Sequence, residues 1–215
     1  MKPKIYIISG LGADERVFQL LDLSAYEVIY IRWILPEQNE SIEHYAERLL
    51  PQITSPKPII IGLSFGGMMA IEISKFIATE KIILLSSAKT KHEIPYYLKF
   101  LGFFGIDKLV PVAVLRQSNF IVNWFFGVKR NFEKQLLKQV LKEMNPVFLK
   151  WAIHKVLRWQ NTFIPQNLYH LHGKSDHLLP IRFVQANEQI ANGGHFMVLS
   201  DSGVVSARLN ELLQH

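Results

Sequence analysis

Short runs of β-branched and aliphatic residues alternate with stretches of helical periodicity along this 215-residue chain. Such alternation is typical of β-α-β units, in which each strand joins a parallel sheet and each helix packs on its face. The clearest strands are predicted at 5–9, 27–31, 58–63, 81–85 and 168–171, and a short strand at 188–191 is expected to complete the sheet. Three of them are apolar on both faces, as buried parallel strands are. The chain is therefore predicted to be an α/β protein.

Two helices are expected to lie on this sheet. Ser41 is a plausible N-cap for a helix in which apolar residues recur at helical spacing from Ile42 onwards. A similar apolar stripe marks a C-terminal helix and consists of Val205, Leu209, Leu212 and Leu213. Both stripes indicate helices with one buried face.

Residues 91–160 differ in composition from the rest of the chain. They hold 12 Lys and Arg against 4 Asp and Glu, and 13 of the 25 aromatic residues. Prolines 95, 111 and 146 separate helical patterns, of which 131–144 is the best, and no convincing strand occurs. We predict an inserted all-helical unit that packs on a sheet domain built from 1–90 and 161–215. Its positive charge is interpreted first as a solvated basic face, and attraction of an anionic substrate or an acidic surface is the alternative.

Composition also restricts location and chemistry. The longest uncharged apolar stretch, 58–71, is shorter than the ~20 residues that a membrane-spanning helix needs, so no membrane span is expected. Glycines 10 and 12 and Asp14 interrupt the first apolar run before a signal-peptide core is complete, and we expect a cytoplasmic protein. Because the chain has no cysteine, a covalent catalyst would have to be Ser, Thr, Lys or a carboxylate.

The apolar strand at 58–63 leads into Gly62-Leu63-Ser64-Phe65-Gly66, and a helical pattern follows. This is the G-x-S-x-G pattern in the strand-turn-helix setting that presents a serine above a sheet. The glycines let strand and helix approach closely, and the helix N-terminus directs backbone N–H groups towards a developing oxyanion. Ser64 is therefore the candidate nucleophile.

A serine nucleophile needs a base and an orienting acid. His195 follows Gly193 and Gly194 between the last predicted strand and the C-terminal helix, and Asp176 lies just past the strand at 168–171. Asp201 follows His195 too closely to reach its Nδ1 atom, and Asp14 is better explained as a helix cap. The order Ser, Asp, His along the chain is the one expected for a nucleophile elbow on an α/β sheet.

These residues resemble the α/β-hydrolase family, and the resemblance covers nearly the whole chain. Residues 9–12, Ser-Gly-Leu-Gly, are similar to the oxyanion loop of that family, with Ser9 in place of its usual histidine. The resemblance implies an α/β-hydrolase fold with a minimal, mostly parallel sheet of about six strands that lacks the first two family strands. It also implies that 91–160 form a helical cap.

The resemblance further implies the roles of the site residues. Ser64, Asp176 and His195 would form a catalytic triad, and the backbone N–H groups of Leu11 and Phe65 would form the oxyanion hole. Some family members place the acid after the strand that precedes the cap, but here that position reads Ser86-Ser87-Ala88. Asp176 is therefore the acid that this chain offers.

The expected activity is hydrolysis of a carboxylic ester or a thioester through an acyl-enzyme on Ser64, with no metal and no organic cofactor. A serine nucleophile argues against the dehalogenase and epoxide hydrolase branches, which use aspartate. The partner would be a small apolar ester or acyl substrate. Aromatic residues of the cap could line an acyl pocket, although core between cap and sheet is the commoner role for such residues; they are Phe100, Phe103, Phe104, Phe120, Trp124, Phe125 and Phe126.

Three other interpretations compete with the hydrolase. The fold could serve as a ligand receptor or partner-binding protein with little turnover. Nucleic-acid binding is suggested only by the sequence pI of 9.4 and the basic segment, without a recognisable motif, and none is expected. His170, His172, Asp176 and His177 approach a zinc-hydrolase pattern, but the acid comes two residues too late. Buried or surface histidines are the simpler explanation.

Overall fold

The computed structural model describes residues 2–11 and 13–214. Its centre is a six-stranded sheet in the order β2-β1-β3-β4-β5-β6, in which every neighbouring pair is parallel. The strands are β1 (Lys4–Ile8), β2 (Glu27–Ile31), β3 (Ile59–Leu63), β4 (Lys81–Leu85), β5 (Leu168–Gly173) and β6 (Glu188–Ile190). Chain order reverses direction between β1 and β3, so the carboxyl ends of β1 and β3 border the crevice in which such sheets bind ligands.

Helices cover both faces of the sheet. On one face, helices α1 (Ile42–Leu49) and α2 (Phe65–Ile73) pack against the side chains of Tyr6, Ile60 and Ile82. On the other face, a 3-10 turn at Glu15–Phe18 and helices α9 (Met197–Ser200) and α10 (Ser202–Gln214) pack against Ile5, Ile61 and Ile83. The alternating side chains of a strand explain why neighbouring isoleucines belong to different cores.

Six further helices lie between β4 and β5. They are α3 (Tyr96–Phe103), α4 (Ile106–Leu109), α5 (Val112–Leu115), α6 (Phe120–Phe126), α7 (Asn131–Glu143) and α8 (Pro146–Leu157). The apolar stripe of α7, which includes Leu137 and Val140, joins one core, and Phe148 and Ala152 of α8 join the other. The helical segment therefore contacts the sheet domain on both of its cores.

The prediction of an α/β fold with a minimal parallel sheet is confirmed, and each predicted strand agrees with the structure to within two residues at either end. The Ser41 hydroxyl accepts a hydrogen bond from the backbone N–H of His44, as an N-cap does. Asp14 likewise caps the 3-10 turn, because its carboxylate accepts from the N–H of Arg16. Within the described residues, no helix has the length and apolar character needed to cross a bilayer.

Candidate active site

The turn between β3 and α2 holds Ser64 in a backbone conformation that residues other than glycine rarely adopt, with φ at 52° and ψ at −119°. Close packing explains the glycine beside it, since a Cβ on Gly66 would lie 2.3 Å from the carbonyl oxygen of Ile8. The turn is held from β4, where the N–H of Ser64 donates to the carbonyl of Leu85 at 2.9 Å. Strain of this kind persists only where the surrounding structure fixes it, and it is common at functional sites.

Three side chains that the sequence singles out meet at the carboxyl ends of the strands. The Ser64 Oγ lies 2.8 Å from His195 Nε2, and His195 Nδ1 lies 2.8 Å from Asp176 Oδ2. Asp176 and His195 are buried, and Ser64 is partly exposed. The geometry allows the imidazole to accept the hydroxyl proton while Asp176 accepts the N–H on the other side of the ring.

Asp176 is held as a carboxylate by its surroundings. Burial alone would raise its pKa, but the charge and hydrogen bond of His195, the nearby His172 and the N–H of Leu179 outweigh it and lower the pKa below the ordinary value. Its Oδ1 accepts two backbone hydrogen bonds, from Leu178 at 2.9 Å and Leu179 at 2.8 Å. Those bonds fix the carboxylate so that Oδ2 points at His195.

Two buried histidines of β5 extend this network. His172 Nε2 lies 2.8 Å from the carbonyl of Leu179 and 3.4 Å from Asp176 Oδ2, so a proton on Nε2 serves both acceptors. His172 Nδ1 lies 3.2 Å from His170 Nε2, which also accepts a hydrogen bond from the backbone N–H of Ser87 at 3.4 Å. Burial, the first cause in each case, lowers the pKa of both histidines, so both are neutral at neutral pH.

Of the residues in the zinc-hydrolase pattern, His170, His172 and Asp176 belong to this buried network, whereas His177 makes a different contact. The ring of His177 stacks on Trp124 at a centroid distance of 4.0 Å. Among the described residues, the group of three metal-ligating side chains whose ligand atoms lie within 4.8 Å of one another is elsewhere, at Glu37, Glu40 and His44.

The loop after β1 passes beside Ser64, because a Cβ on Gly10 would lie 3.6 Å from the Ser64 Cβ. Ser9 braces this loop where the resembled family usually has histidine. Its buried hydroxyl donates to the carbonyl of Ala13 and accepts from Trp33 Nε1 at 3.0 Å. Leu11 borders the same space as Ser64, and Gly12 lies outside the described residues.

A cavity of about 260 Å³ opens next to Ser64. Among the described residues that line it, Ser64 and His195 supply the polar side chains, and the remainder is apolar and mainly aliphatic, with three phenylalanines. Helices of the 91–160 segment provide most of the wall, through Leu98, Leu115, Val122, Leu137, Val140, Leu141, Met144, Leu149, Ile153, Val156 and Leu157. An apolar cavity with a few convergent polar groups is the usual form of a small-molecule site.

The aromatic acyl pocket considered from the sequence is wrong for six of its seven residues. Phe126 lines the cavity, while Phe125 and Trp124 border a separate surface groove. The other four are exposed, namely Phe100, Phe103, Phe104 and Phe120. The alternative of a core between cap and sheet is wrong for those four as well.

Sequence reasoning also missed a support of the turn. The Ser87 hydroxyl, in the loop after β4, donates to the carbonyl of Ser64 at 2.7 Å. A Cβ on Gly67 would lie 2.5 Å from that hydroxyl oxygen, so glycine at 67 makes the contact possible. In the sequence, Ser86 and Ser87 show only that this position has no carboxylate. Their small hydroxyl side chains are the feature from which a hydrogen bond to the turn could have been predicted.

No family model matches the sequence, and neither does any curated protein. Solved structures do match in fold. A bromoperoxidase from Bacillus anthracis is 16% identical with a TM-score of 0.73, and the match covers 100% of this chain and 93% of that one. A thermophilic esterase from Thermogutta terrifontis is 15% identical with a TM-score of 0.73 over 100% and 90%. A lipase-esterase related protein from Clostridium acetobutylicum is 14% identical with a TM-score of 0.71 over 98% and 95%. The chain has the α/β-hydrolase fold.

Proposed function

We propose that this chain is a serine hydrolase that cleaves a carboxylic ester or a thioester through an acyl-enzyme on Ser64. The observation that carries the proposal is the pair of 2.8 Å contacts from Ser64 to His195 and from His195 to Asp176, at the mouth of an apolar cavity. The α/β-hydrolase fold and the likeness to an esterase from Thermogutta terrifontis support it.

In the first half of the reaction, His195 Nε2 takes the proton of Ser64 while the serine oxygen attacks the substrate carbonyl. The negative charge moves to the carbonyl oxygen, which the backbone N–H groups of Leu11 and Phe65 would stabilise as the oxyanion hole. Asp176 stabilises the imidazolium and fixes its orientation. Collapse of the tetrahedral intermediate breaks the bond to the alcohol or thiol, which leaves with the proton from His195.

In the second half, His195 takes a proton from water, and the hydroxide attacks the acyl carbon of the acyl-serine. The second tetrahedral intermediate releases the carboxylic acid, and His195 returns its proton to the Ser64 oxygen. Each half therefore uses the same base and the same donors, so that the enzyme is regenerated. Metal and organic cofactors have no step in this scheme.

The cavity favours an aliphatic acyl chain as the bound part of the substrate. Its aliphatic wall offers no charged partner, and every methylene that moves from water into it contributes ~0.8 kcal/mol. We assign residues 91–160 as the cap, because their helices form most of the wall over Ser64, and residues 1–90 and 161–215 as the hydrolase core. An ester and a thioester differ in the leaving group, which is an alcohol or a thiol.

The deciding experiment is labelling with a fluorophosphonate, followed by peptide mass spectrometry to locate the adduct. A single adduct on Ser64 is expected, and it should be lost in Ser64→Ala and in His195→Ala. Ser74→Ala is the matched control, since Ser74 lies at the other end of the same helix and only caps the carbonyl of Ile71. Labelling of that variant should equal the native level.

Turnover of p-nitrophenyl butyrate and of S-phenyl thiobutyrate by the same variants then separates the two substrate classes. Abolished turnover in Ser64→Ala with an unchanged melting temperature supports the acyl-enzyme. A folded native protein that neither labels nor turns over these compounds would contradict the proposal. Stabilisation by a bound apolar carboxylate in that case would identify the receptor as the correct alternative.

A further inference from the structure

More than half of the exposed large apolar side chains in the described chain lie between residues 96 and 124. We call this set the outer apolar surface, and it consists of Tyr96, Phe100, Leu101, Phe103, Phe104, Leu109, Val114, Phe120, Ile121 and Trp124. Phe103 and Phe120 are each 83% exposed, so folding removes almost none of their area from water. A concentration of exposed large apolar side chains in one segment of a folded protein points to an interaction site.

Two of the helices that carry this surface are apolar on both sides. In α3, Leu98 faces the cavity, while Phe100 and Phe103 are exposed. In α6, Val122 and Phe126 face the cavity, one helical turn apart, while Phe120 is exposed. Lining the cavity accounts for the inner side of each helix. The outer side needs a separate explanation, because a helix that is apolar all round is usually buried.

Residues of the two helices line one groove, which brings part of their outer sides together. Tyr97 of α3 and Trp124 of α6 line this groove together with Lys174 and Arg182 of the sheet domain. Next to it, the ring of Phe183 lies 5.8 Å from that of Tyr96. Tyr and Trp beside cations are the side chains that favour the headgroup region of a bilayer.

The charges around the outer apolar surface indicate which kind of partner surface it would bind. Within residues 96–130 the one carboxylate is Asp107, which is 4% exposed and paired with Arg158. Lys99, Lys129 and the groove cations Lys174 and Arg182 have no ion-pair partner among the described residues. Within residues 96–130 and the described lining of the groove, whose acid Asp176 is buried, the surface therefore carries cations and no exposed acid. Lys and Arg near a membrane are attracted by anionic lipid headgroups.

We infer that the outer apolar surface docks the protein on an anionic lipid bilayer, with the aromatic side chains in the headgroup region and the cations against phosphate and carboxylate groups. A second copy of the chain is the competing occupant. Pairing two such surfaces would bring their cations together, and like charges across an interface oppose association. The inference goes beyond the proposed hydrolase activity, and binding to vesicles tests it without any substrate.

The experiment is co-sedimentation of the full chain with sucrose-loaded vesicles. Vesicles of phosphatidylcholine alone are compared with vesicles that also contain phosphatidylserine, at low and at high NaCl concentration. We expect the native protein to bind the anionic vesicles at least about tenfold more tightly, and salt should weaken that binding. Equal binding to both compositions, or none to either, would overturn the inference, and this comparison requires no variant.

Paired variants then locate the surface. Phe103→Ser with Phe120→Ser should reduce binding to anionic vesicles at least about tenfold. The matched control is Phe76→Ser with Phe163→Ser, because those rings are exposed by 43% and 47% outside the surface. Control and test variants with equal losses would refute the assignment of this surface.

Sedimentation equilibrium of the native protein without lipid tests the competing occupant. If the native protein is a dimer, and the variant with serine at 103 and 120 is not, the occupant is a second copy of the chain and the inference is overturned.

Discussion

The strand-end site and the 91–160 segment belong to one molecule but follow different rules. At the strand ends, the backbone positions each of the three side chains. A strained turn holds Ser64, two backbone N–H groups hold Asp176, and a glycine-containing loop carries His195. In the helical segment, an apolar residue lies in one of three places, which are the core, the cavity wall and the exposed surface. The position of a residue along a strand therefore determines where its side chain lies. The apolar character of a residue does not determine this in a helix that is apolar on two sides.

The largest expected effect breaks the strand-end site by one atom. Asp176→Asn keeps the shape of the side chain but replaces an acceptor of the His195 N–H by an amide, which favours the wrong tautomer. We expect kcat to fall on the order of 10⁴-fold, as such a change does in serine proteases. Steady-state turnover of p-nitrophenyl butyrate measures the loss.

Asp201→Asn is the control for this variant. Asp201 lies near His195 in sequence, but its carboxylate accepts from the hydroxyl of Ser200 instead. Its turnover should remain within about twofold of native, because a substitution away from the reacting atoms seldom changes the barrier. Comparable losses in both variants would show that Asp176 has been given the wrong role.

Much of the strand-end site could be predicted because its geometry is encoded locally. Gly66 and Gly67 flank the turn where helix and strand touch, and the end of β5 places Asp176 at the same edge of the sheet. The contact of His172 with Asp176 could not be predicted in the same way. It depends on the side-chain tautomers and on Leu179, which comes back over the strand from seven residues further on.

The helical segment was predicted as helical, but the faces of its helices were not. Phe100 and Phe126 are the same residue type on two helices of this segment, yet Phe100 is exposed and Phe126 lines the cavity. That difference depends on where each helix crosses the sheet domain, which involves residues far apart in the chain. The basic face predicted for the segment remains compatible with the structure, since its lysines lie mainly at the surface.

A second prediction addresses the packing that makes the turn possible. Gly66→Ala places a methyl group 2.3 Å from the carbonyl oxygen of Ile8 and 2.4 Å from that of Ser9, both of them backbone atoms. Because β1 cannot move without breaking the sheet, we expect unfolding to require roughly 3 kcal/mol less free energy, or no folded protein at all. Urea denaturation measures the change.

Gly203→Ala is the matched control for Gly66→Ala. A Cβ at 203 meets nothing within 4 Å, and the residue lies in the first turn of α10. Alanine there should stabilise the protein by about 0.5 kcal/mol, because it reduces the freedom of the unfolded chain. The pair therefore isolates steric contact from glycine content, and similar midpoints for the two variants would contradict the close packing described at the turn.

A third prediction tests whether the aliphatic cavity holds the acyl chain. Val140 is buried on α7 and lines the cavity, so Val140→Trp should fill part of it. We expect kcat/KM for p-nitrophenyl octanoate to fall about 30-fold, which corresponds to ~2 kcal/mol of lost methylene burial, with little change for the acetate. Val147→Trp introduces the same side chain at an exposed position of α8. Equal chain-length profiles in the two variants would place the acyl chain elsewhere.

The smallest effect concerns the buried histidines behind the site. His170 has a pKa far below its ordinary value of 6.5, first because it is buried and then because of the charges of His172 and Lys89. Below about pH 6.5 the unfolded chain takes up a proton that folded His170 does not accept, so stability decreases as the pH falls. Each such histidine contributes up to about 1.4 kcal/mol per pH unit to that slope.

His170→Gln removes one of these titrating groups from the folded protein. Its free energy of unfolding should therefore decrease less steeply than that of the native protein between pH 7 and pH 5, roughly by the slope of one proton. A His170→Gln protein with the native slope would show that folded His170 takes up the proton, and that burial on β5 does not keep it neutral. The interior of the sheet behind the site would then accept a charged histidine. In that case the buried histidines and the exposed cations of the helical segment would differ in location but not in charge.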